Sequence, residues 1–207
     1  TPHNHYAEFL SFLSERDIKK MTKRENLVIS IEAAIFAVMA FTIAFVPLDI
    51  GPFEIELGMI PIIIFSYRRG WKAGIFSGFL WGLIKLTSGN ITVLSILQVF
   101  VEYVFAFAVS GLAGVAFKKL KEEVTAKKWS NAFITIAWSV FLAVFVKYFI
   151  HFIAGVIYWH LYAPEGMSPI IYSLIVNGSS GIATFIVTGI ITALLIYRAP
   201  VLIFPKK

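Results

Sequence analysis

The chain has 207 residues, 58% of them hydrophobic and 14% charged, with no cysteine and a formal net charge of +6. Soluble domains average about 45–50% apolar and about 25% charged residues, so a single soluble core is excluded. Disulfides and thiol chemistry are excluded as well. The positive charge needs no nucleic acid if the basic residues sort to one side of a membrane and attract anionic lipid.

Residues 1–24 are a basic tail that starts Thr1-Pro-His-Asn-His5 and carries no chemistry of its own. Its start is expected to be processed or added, or else Tyr6 to Leu13 make a short amphipathic turn on the membrane surface. The two histidines read as solvated, and no metal site is expected. Residues 25–207 form the transmembrane domain. Its first apolar run follows the basic tail and is long enough to remain in the membrane, so no cleavable signal is expected.

A helix needs ~20 apolar residues to cross about 30 Å of hydrocarbon. The runs at about 27–47, 92–117, 131–159 and 170–197 meet that length. The run at about 71–87 is slightly short and carries Lys85, and the one from Leu57 to Tyr67 is shorter still. Lys and Arg collect in cytoplasmic loops. Here Arg16, Lys19, Lys20, Lys23 and Arg24 precede the first run, and Arg68, Arg69 and Lys72 separate the second and third. Lys118, Lys119, Lys121, Lys127 and Lys128 separate the fourth and fifth, and Arg198, Lys206 and Lys207 follow the last. The intervening loops hold Asp49, Glu54, Glu56 and Glu165 instead. This alternation predicts an all-α membrane protein of six transmembrane helices with both termini cytoplasmic.

Ionisable residues within spans are costly and usually face a cavity or a partner. Glu32 and Lys85 lie where they can reach an interface. Gln98 and Glu102 are i, i+4 on span four, and Lys147 and His151 are i, i+4 on span five, with Trp159 eight residues on near the same face. Span six brings Tyr172 and Asn177 to the same outer half. One reading is a Glu102–Lys147 ion pair with Trp159 and Tyr172 as interfacial aromatics. The other is an outward-facing pocket of a few polar groups among aromatics, which also accounts for Gln98, His151 and Asn177. With Asp49, Glu54 and Glu56 nearby, such a pocket with Tyr103 and Trp159 suits a flat cationic ring.

On span one, Ala33, Ala37, Ala40 and Ala44 make a stripe of small side chains, for packing within the bundle or for docking another membrane subunit. Gly74, Gly78 and Gly82 on span three read as internal close packing. Phosphate-binding, zinc-protease and nucleophile-elbow motifs are absent, and neither half repeats the other, so borrowed energy is expected for any transport.

Four stretches carry a resemblance: Gln98-Val-Phe-Val-Glu102-Tyr103, Lys147-Tyr-Phe-Ile-His151-Phe-Ile-Ala-Gly155, Tyr158-Trp159-x-x-Tyr162-Ala163 and Tyr172-Ser-Leu-Ile-Val-Asn177-Gly178. Together they resemble the thiamine-specific substrate-binding (S) component of energy-coupling factor (ECF) vitamin transporters, over about Asn26 to Pro200. The resemblance implies a non-enzymatic six-helix protein of a bacterial plasma membrane. It would capture thiamine from outside and associate with a transmembrane coupling subunit and two ATPase subunits. No cofactor is implied, since ATP would be used by the partners. Glu102, helped by Lys147 and Tyr172, would meet the aminopyrimidine and Trp159 would stack on it. His151 and Glu56 would lie by the thiazolium, with Tyr103 and Asn177 completing the lining. The alanine stripe would face the coupling subunit. The family's lid loop carries a tryptophan a few residues before the acidic position, where Phe53 is the nearest aromatic here; Pro47, Gly51 and Pro52 keep this loop out of helix. The alternatives are a solitary proton-coupled carrier using Glu102 and His151, a scaffold that binds nothing, and an S component for another vitamin.

Overall fold

A computed structural model describes residues 2–46, 48, 51–89 and 91–205, with side chains from residue 22 onward. Pro47 of the expected gate, the loop charge Asp49, Lys206 and Lys207, and the side chains of Tyr6 to Leu13 lie outside the described residues. The chain divides into two units, Thr1–Glu32 and Ala33–Lys207. The described part of the first is helical throughout, and the second holds everything considered below.

The described elements are helical. They are α1 (Pro2–Ile43), α2 (Met59–Arg69), α3 (Trp71–Thr87), α4 (Ile96–Thr125), α5 (Trp129–Tyr158) and α6 (Pro169–Arg198), with short 3-10 turns at His160–Tyr162 and Pro200–Ile203. Among the described residues, four helices are long and apolar enough to cross a membrane: Thr22–Ile43 of α1, α4, α5 and α6. The protein is therefore an all-α membrane protein. The two undersized runs are helices as well, of 11 residues in α2 and 17 in α3.

The short helix α2 has a physical explanation. Every residue from Met59 to Tyr67 is buried, enclosed by α3, α4 and α6. An 11-residue helix is about 16 Å long at 1.5 Å per residue. Only surface that meets lipid must match the hydrocarbon thickness, and α2 meets protein instead. Gly70 alone joins α2 to α3, at φ 91°, a conformation that favours glycine.

Helices α3 and α4 touch backbone to backbone. A Cβ on Gly78 would lie 2.4 Å from the Phe107 carbonyl oxygen, and one on Gly82 2.1 Å from that of Tyr103. Reciprocally, a Cβ on Gly111 would lie 2.1 Å from the Gly74 carbonyl carbon. The spaced glycines of span three thus serve internal packing, as their pattern predicts. Along this seam α4 is not regular: its hydrogen bonding widens to π-helical over Phe100–Phe105 and tightens to 3-10 over Val109–Ala116. π-turns recur at functional sites, and this one carries Glu102 and Tyr103.

The alanine stripe is spent inside the bundle. Ala33, Ala37 and Ala40 are fully buried and Ala44 packs partly against the core. The Ser77 hydroxyl donates to the Ala33 carbonyl at 2.8 Å, which fixes α3 against this face. The expectation that Ala33, Ala37, Ala40 and Ala44 face a partner subunit is corrected: their small volume lets α3 approach α1, and that approach covers them. The exposed apolar face of α1 in this unit carries Ile35, Val38 and Met39 instead.

Lower in the core, the buried Tyr67 hydroxyl bonds the Ser139 hydroxyl at 2.6 Å, and Ser139 donates to the Thr135 carbonyl at 2.6 Å. Tyr67→Phe leaves Ser139 its backbone partner and removes one buried hydrogen bond. The expected cost is about 1 kcal/mol, read as a lower melting temperature in detergent.

Candidate ligand-binding site

The connection from α1 to α2 enters the bundle as an extended segment. Its Glu54 amide donates to the Ser180 hydroxyl at 3.1 Å and its Glu56 amide to the Thr184 hydroxyl, also at 3.1 Å. Two extended residues cover about 6.6 Å, close to one turn of the facing helix, so alternate amides meet hydroxyls four residues apart. Tyr148 braces Thr184 from α5 at 2.8 Å, and Thr188 donates to the Thr184 carbonyl at 2.6 Å. The docking face of α6 is a polar stripe through Ser173, Asn177, Ser180, Thr184, Thr188 and Thr192 in an otherwise apolar helix.

This segment, α3, α4, α5 and α6 enclose a cavity of about 620 Å³, within the range of small-molecule sites. Eight residues selected from the sequence line it together: Glu56, Glu102, Tyr103, Lys147, His151, Trp159, Tyr172 and Asn177. Phe53 does not, and its ring is 37% exposed. Side chains alternate along an extended segment, so Pro52, Glu54 and Glu56 face the cavity while Phe53 points away. The aromatic lid contact expected at Phe53 is therefore absent from this arrangement.

Glu102 is buried and held from two directions. The Gln98 amide donates to Oε2, and the Trp159 indole N–H donates to Oε1 at 2.9 Å. Gln98 is itself fixed, its Oε1 accepting from the Leu94 amide at 3.1 Å and its amide also donating to the Thr92 carbonyl at 3.2 Å. Tyr103 accepts from the Thr92 amide at 3.2 Å, so one strap of chain positions both residues. The Glu102–Lys147 pair considered from the sequence does not form here. Lys147 is 3.8 Å from Glu56 instead, because the extended segment brings that carboxylate onto α5.

Lys147 is 2% exposed, and its ammonium has no hydrogen-bond partner among the described residues. It sits 3.8 Å from the Phe107 ring centroid and 5.3 Å from that of Trp81, both cation–π distances. Deeper on α6, Asn177 donates to the Ser173 carbonyl and hydroxyl at 3.1 Å each. A Cβ on Gly155 would lie 2.2 Å from Ser173 Oγ, so that glycine sets the α5–α6 approach.

Two charged residues on the wall were not selected as site residues from the sequence. Lys85 was read as reaching an interface, and it lines the cavity from α3. Glu54 was counted only in the loop's charge. It sits solvent-exposed on the cavity rim, and its carboxyl is raised to about 7, first of all by the neighbouring Glu56 carboxylate. Its alternation with Glu56 was the signal for it. The α6 stripe was likewise legible as Ser/Thr spacing in an apolar run.

Residues 30–204 match the thiamine transporter protein family (Thia_YuaJ). The chain belongs to this family. It is 37% identical over 191 residues to the thiamine transporter ThiT of Lacticaseibacillus paracasei, covering 90% of this chain and 95% of that protein. It is 32% identical over 196 residues to ThiT of Bacillus subtilis, covering 90% and 100%. The solved structure of ThiT from Listeria monocytogenes is similar at a TM-score of 0.85 and 36% identity, over 87% of this chain and all of that one. Members of the thiamine transporter family are transporters, not enzymes, and the resemblance read from the four polar motifs is to this family. The matched residues include every cavity-lining residue named above.

Proposed function

We propose that this protein captures thiamine from the outer side of a bacterial plasma membrane, as the S component of an ECF-type, ATP-driven importer. The observation that carries this reading is the convergence of Glu102, Lys147, His151, Trp159, Tyr172 and Asn177 on one 620 Å³ cavity. Membership of the thiamine transporter family and the ThiT relatives support thiamine as the cargo. The positive-inside pattern supports six crossings with both termini cytoplasmic and a cavity that opens outward.

Thiamine joins an aminopyrimidine to a thiazolium of fixed positive charge. In this reading the pre-aligned Glu102 carboxylate receives the aminopyrimidine, with Lys147, Tyr172 and Asn177 completing its polar contacts. Trp159 stacks on the ring. Glu56, beside His151 and Tyr103, faces the thiazolium. Binding is the protein's whole chemistry. The coupling subunit and two ATPases supply the energy, since the chain itself has no phosphate-binding loop.

Titrating purified protein with thiamine while following tryptophan emission tests capture, because Trp159 lies in the cavity wall. Saturable quenching is expected, and its absence overturns the reading. Uptake into proteoliposomes separates the mode of energisation. Uptake is expected only with the ECF partner subunits and ATP, whereas uptake driven by a pH gradient alone identifies a solitary carrier.

A further inference from the structure

The cavity wall carries three carboxyl groups, Glu54, Glu56 and Glu102, against two ammonium groups, Lys85 and Lys147, with His151 beside them. With every acid and both lysines ionised, one negative charge is in excess. Carboxylates crowded onto one cavity repel one another, and the excess charge is relieved by a proton or by a bound cation.

The three carboxyls are not equivalent. Glu56 is 3.8 Å from Lys147. Both oxygens of Glu102 accept N–H donors, and a carboxyl proton would displace one of them. Glu54 alone of the three is solvent-exposed, and it is anchored through its backbone amide on Ser180, which leaves its carboxyl on the rim. The charged or titratable groups that share the cavity wall with it are Glu56 on its own segment, Lys85 from α3, Glu102 and Tyr103 from α4, Lys147, Tyr148 and His151 from α5, and Tyr162 from the turn that follows. From α6 the cavity wall presents Tyr172, Ser173, Val176, Asn177 and Ser180, none of them charged. The buried Lys147 ammonium in the same wall, ion-paired with Glu56 but without a hydrogen-bond partner among the described residues, marks the cavity as built for a ligand.

We propose that Glu54 holds a proton in the empty cavity and releases it to solvent when a cationic ligand enters, so that capture exchanges one proton for one cation. The exchange is a plain acid dissociation: the carboxyl O–H bond breaks, the proton leaves to water, and the carboxylate balances the incoming positive charge. The inference rests on the reading that the cargo is thiamine, whose thiazolium supplies that charge. The Glu56 carboxylate holds the Glu54 carboxyl at about 7, which puts the exchange in the neutral range. The sign follows from linkage: a group that must be ionised to receive a cation weakens binding as pH falls below its free-state pKa.

Calorimetric titration with thiamine at pH 7, in two buffers of different ionisation enthalpy, measures the proton release directly. About half a proton per thiamine is expected, because a group with a pKa near 7 is half protonated there. The wild-type Kd rises about tenfold between pH 8 and pH 6. The profile of Glu54→Gln is flat to within about twofold, with weaker binding than wild type at pH 8. Wild-type binding without proton release overturns the exchange and leaves thiamine capture standing, as does a wild-type pH profile in Glu54→Gln. Failure of wild-type protein to bind thiamine at pH 8 overturns both.

Discussion

Glu102→Gln lowers thiamine affinity by roughly 30- to 1,000-fold, about 2–4 kcal/mol, as when one partner of a desolvated charge interaction is removed. The substitution is nearly isosteric, so size does not cause the loss. Two N–H donors, from Gln98 and Trp159, converge on the two oxygens of Glu102. A carboxylate accepts at both oxygens, whereas an amide offers one acceptor and one donor group. In Glu102→Gln one N–H therefore meets another. Gln98 cannot turn over to relieve the clash without giving up the Leu94 amide and the Thr92 carbonyl. In the proposed binding mode the variant loses the charge that receives the aminopyrimidine and, with it, the alignment of Trp159. Calorimetry measures the change, and an affinity within about threefold of wild type would remove Glu102 from the binding site.

A second large effect is expected far from the polar groups. Gly111→Ala places a methyl group 2.1 Å from the Gly74 carbonyl carbon and the Ile75 nitrogen. Those atoms are backbone of a neighbouring helix, so no side chain can swing aside. Overpacking typically costs about 1–3 kcal/mol, and a contact with rigid backbone lies at or beyond the top of that range. At about 2–4 °C per kcal/mol for a chain of this size, the melting temperature in detergent falls by about 6 °C or more. The control is Gly189→Ala, where a Cβ meets nothing within 4 Å. Equal melting temperatures for the two variants would mean that the α3–α4 seam is not the rigid contact described. The seam also bears on the site, since Gly82 lies against the backbone of Tyr103, one residue after Glu102.

Much of the architecture was legible in local pattern. Long apolar runs gave the four long helices, since membrane spanning demands a length and a composition that a sequence displays directly. The polar residues inside them marked the cavity for the same reason: in lipid each needs a partner, so their rarity is itself a signal. The glycines of α3 were read correctly because small-residue spacing reports helix approach. The alanines of α1 show the limit of that argument. Their spacing announces close approach and does not say which helix approaches, and α3 took the face that a partner subunit was expected to use.

The pairing of charges was the other part out of reach. Glu102 and Lys147 share a depth, which made them natural partners on paper. Which carboxylate meets Lys147 depends on how an extended segment docks on the hydroxyls of Ser180 and Thr184, 126 and 128 residues away in sequence. No local periodicity encodes that docking. It also decides that Glu54 faces the cavity and Phe53 does not, because one residue of register moves every side chain of an extended segment to its other face.

By itself, then, the sequence determined a membrane protein of apolar helices, the sorting of its basic residues, and the polar groups that must gather inside it. Hydrophobic length and the cost of buried charge are properties of short stretches of chain. Only the tertiary structure decided that α2 is a short helix sheathed by protein, that the alanines of α1 are covered, and that Lys147 faces Glu56 while Trp159 and Gln98 hold Glu102. Those outcomes turn on close approach between segments distant in the chain, where a few ångströms choose the partner.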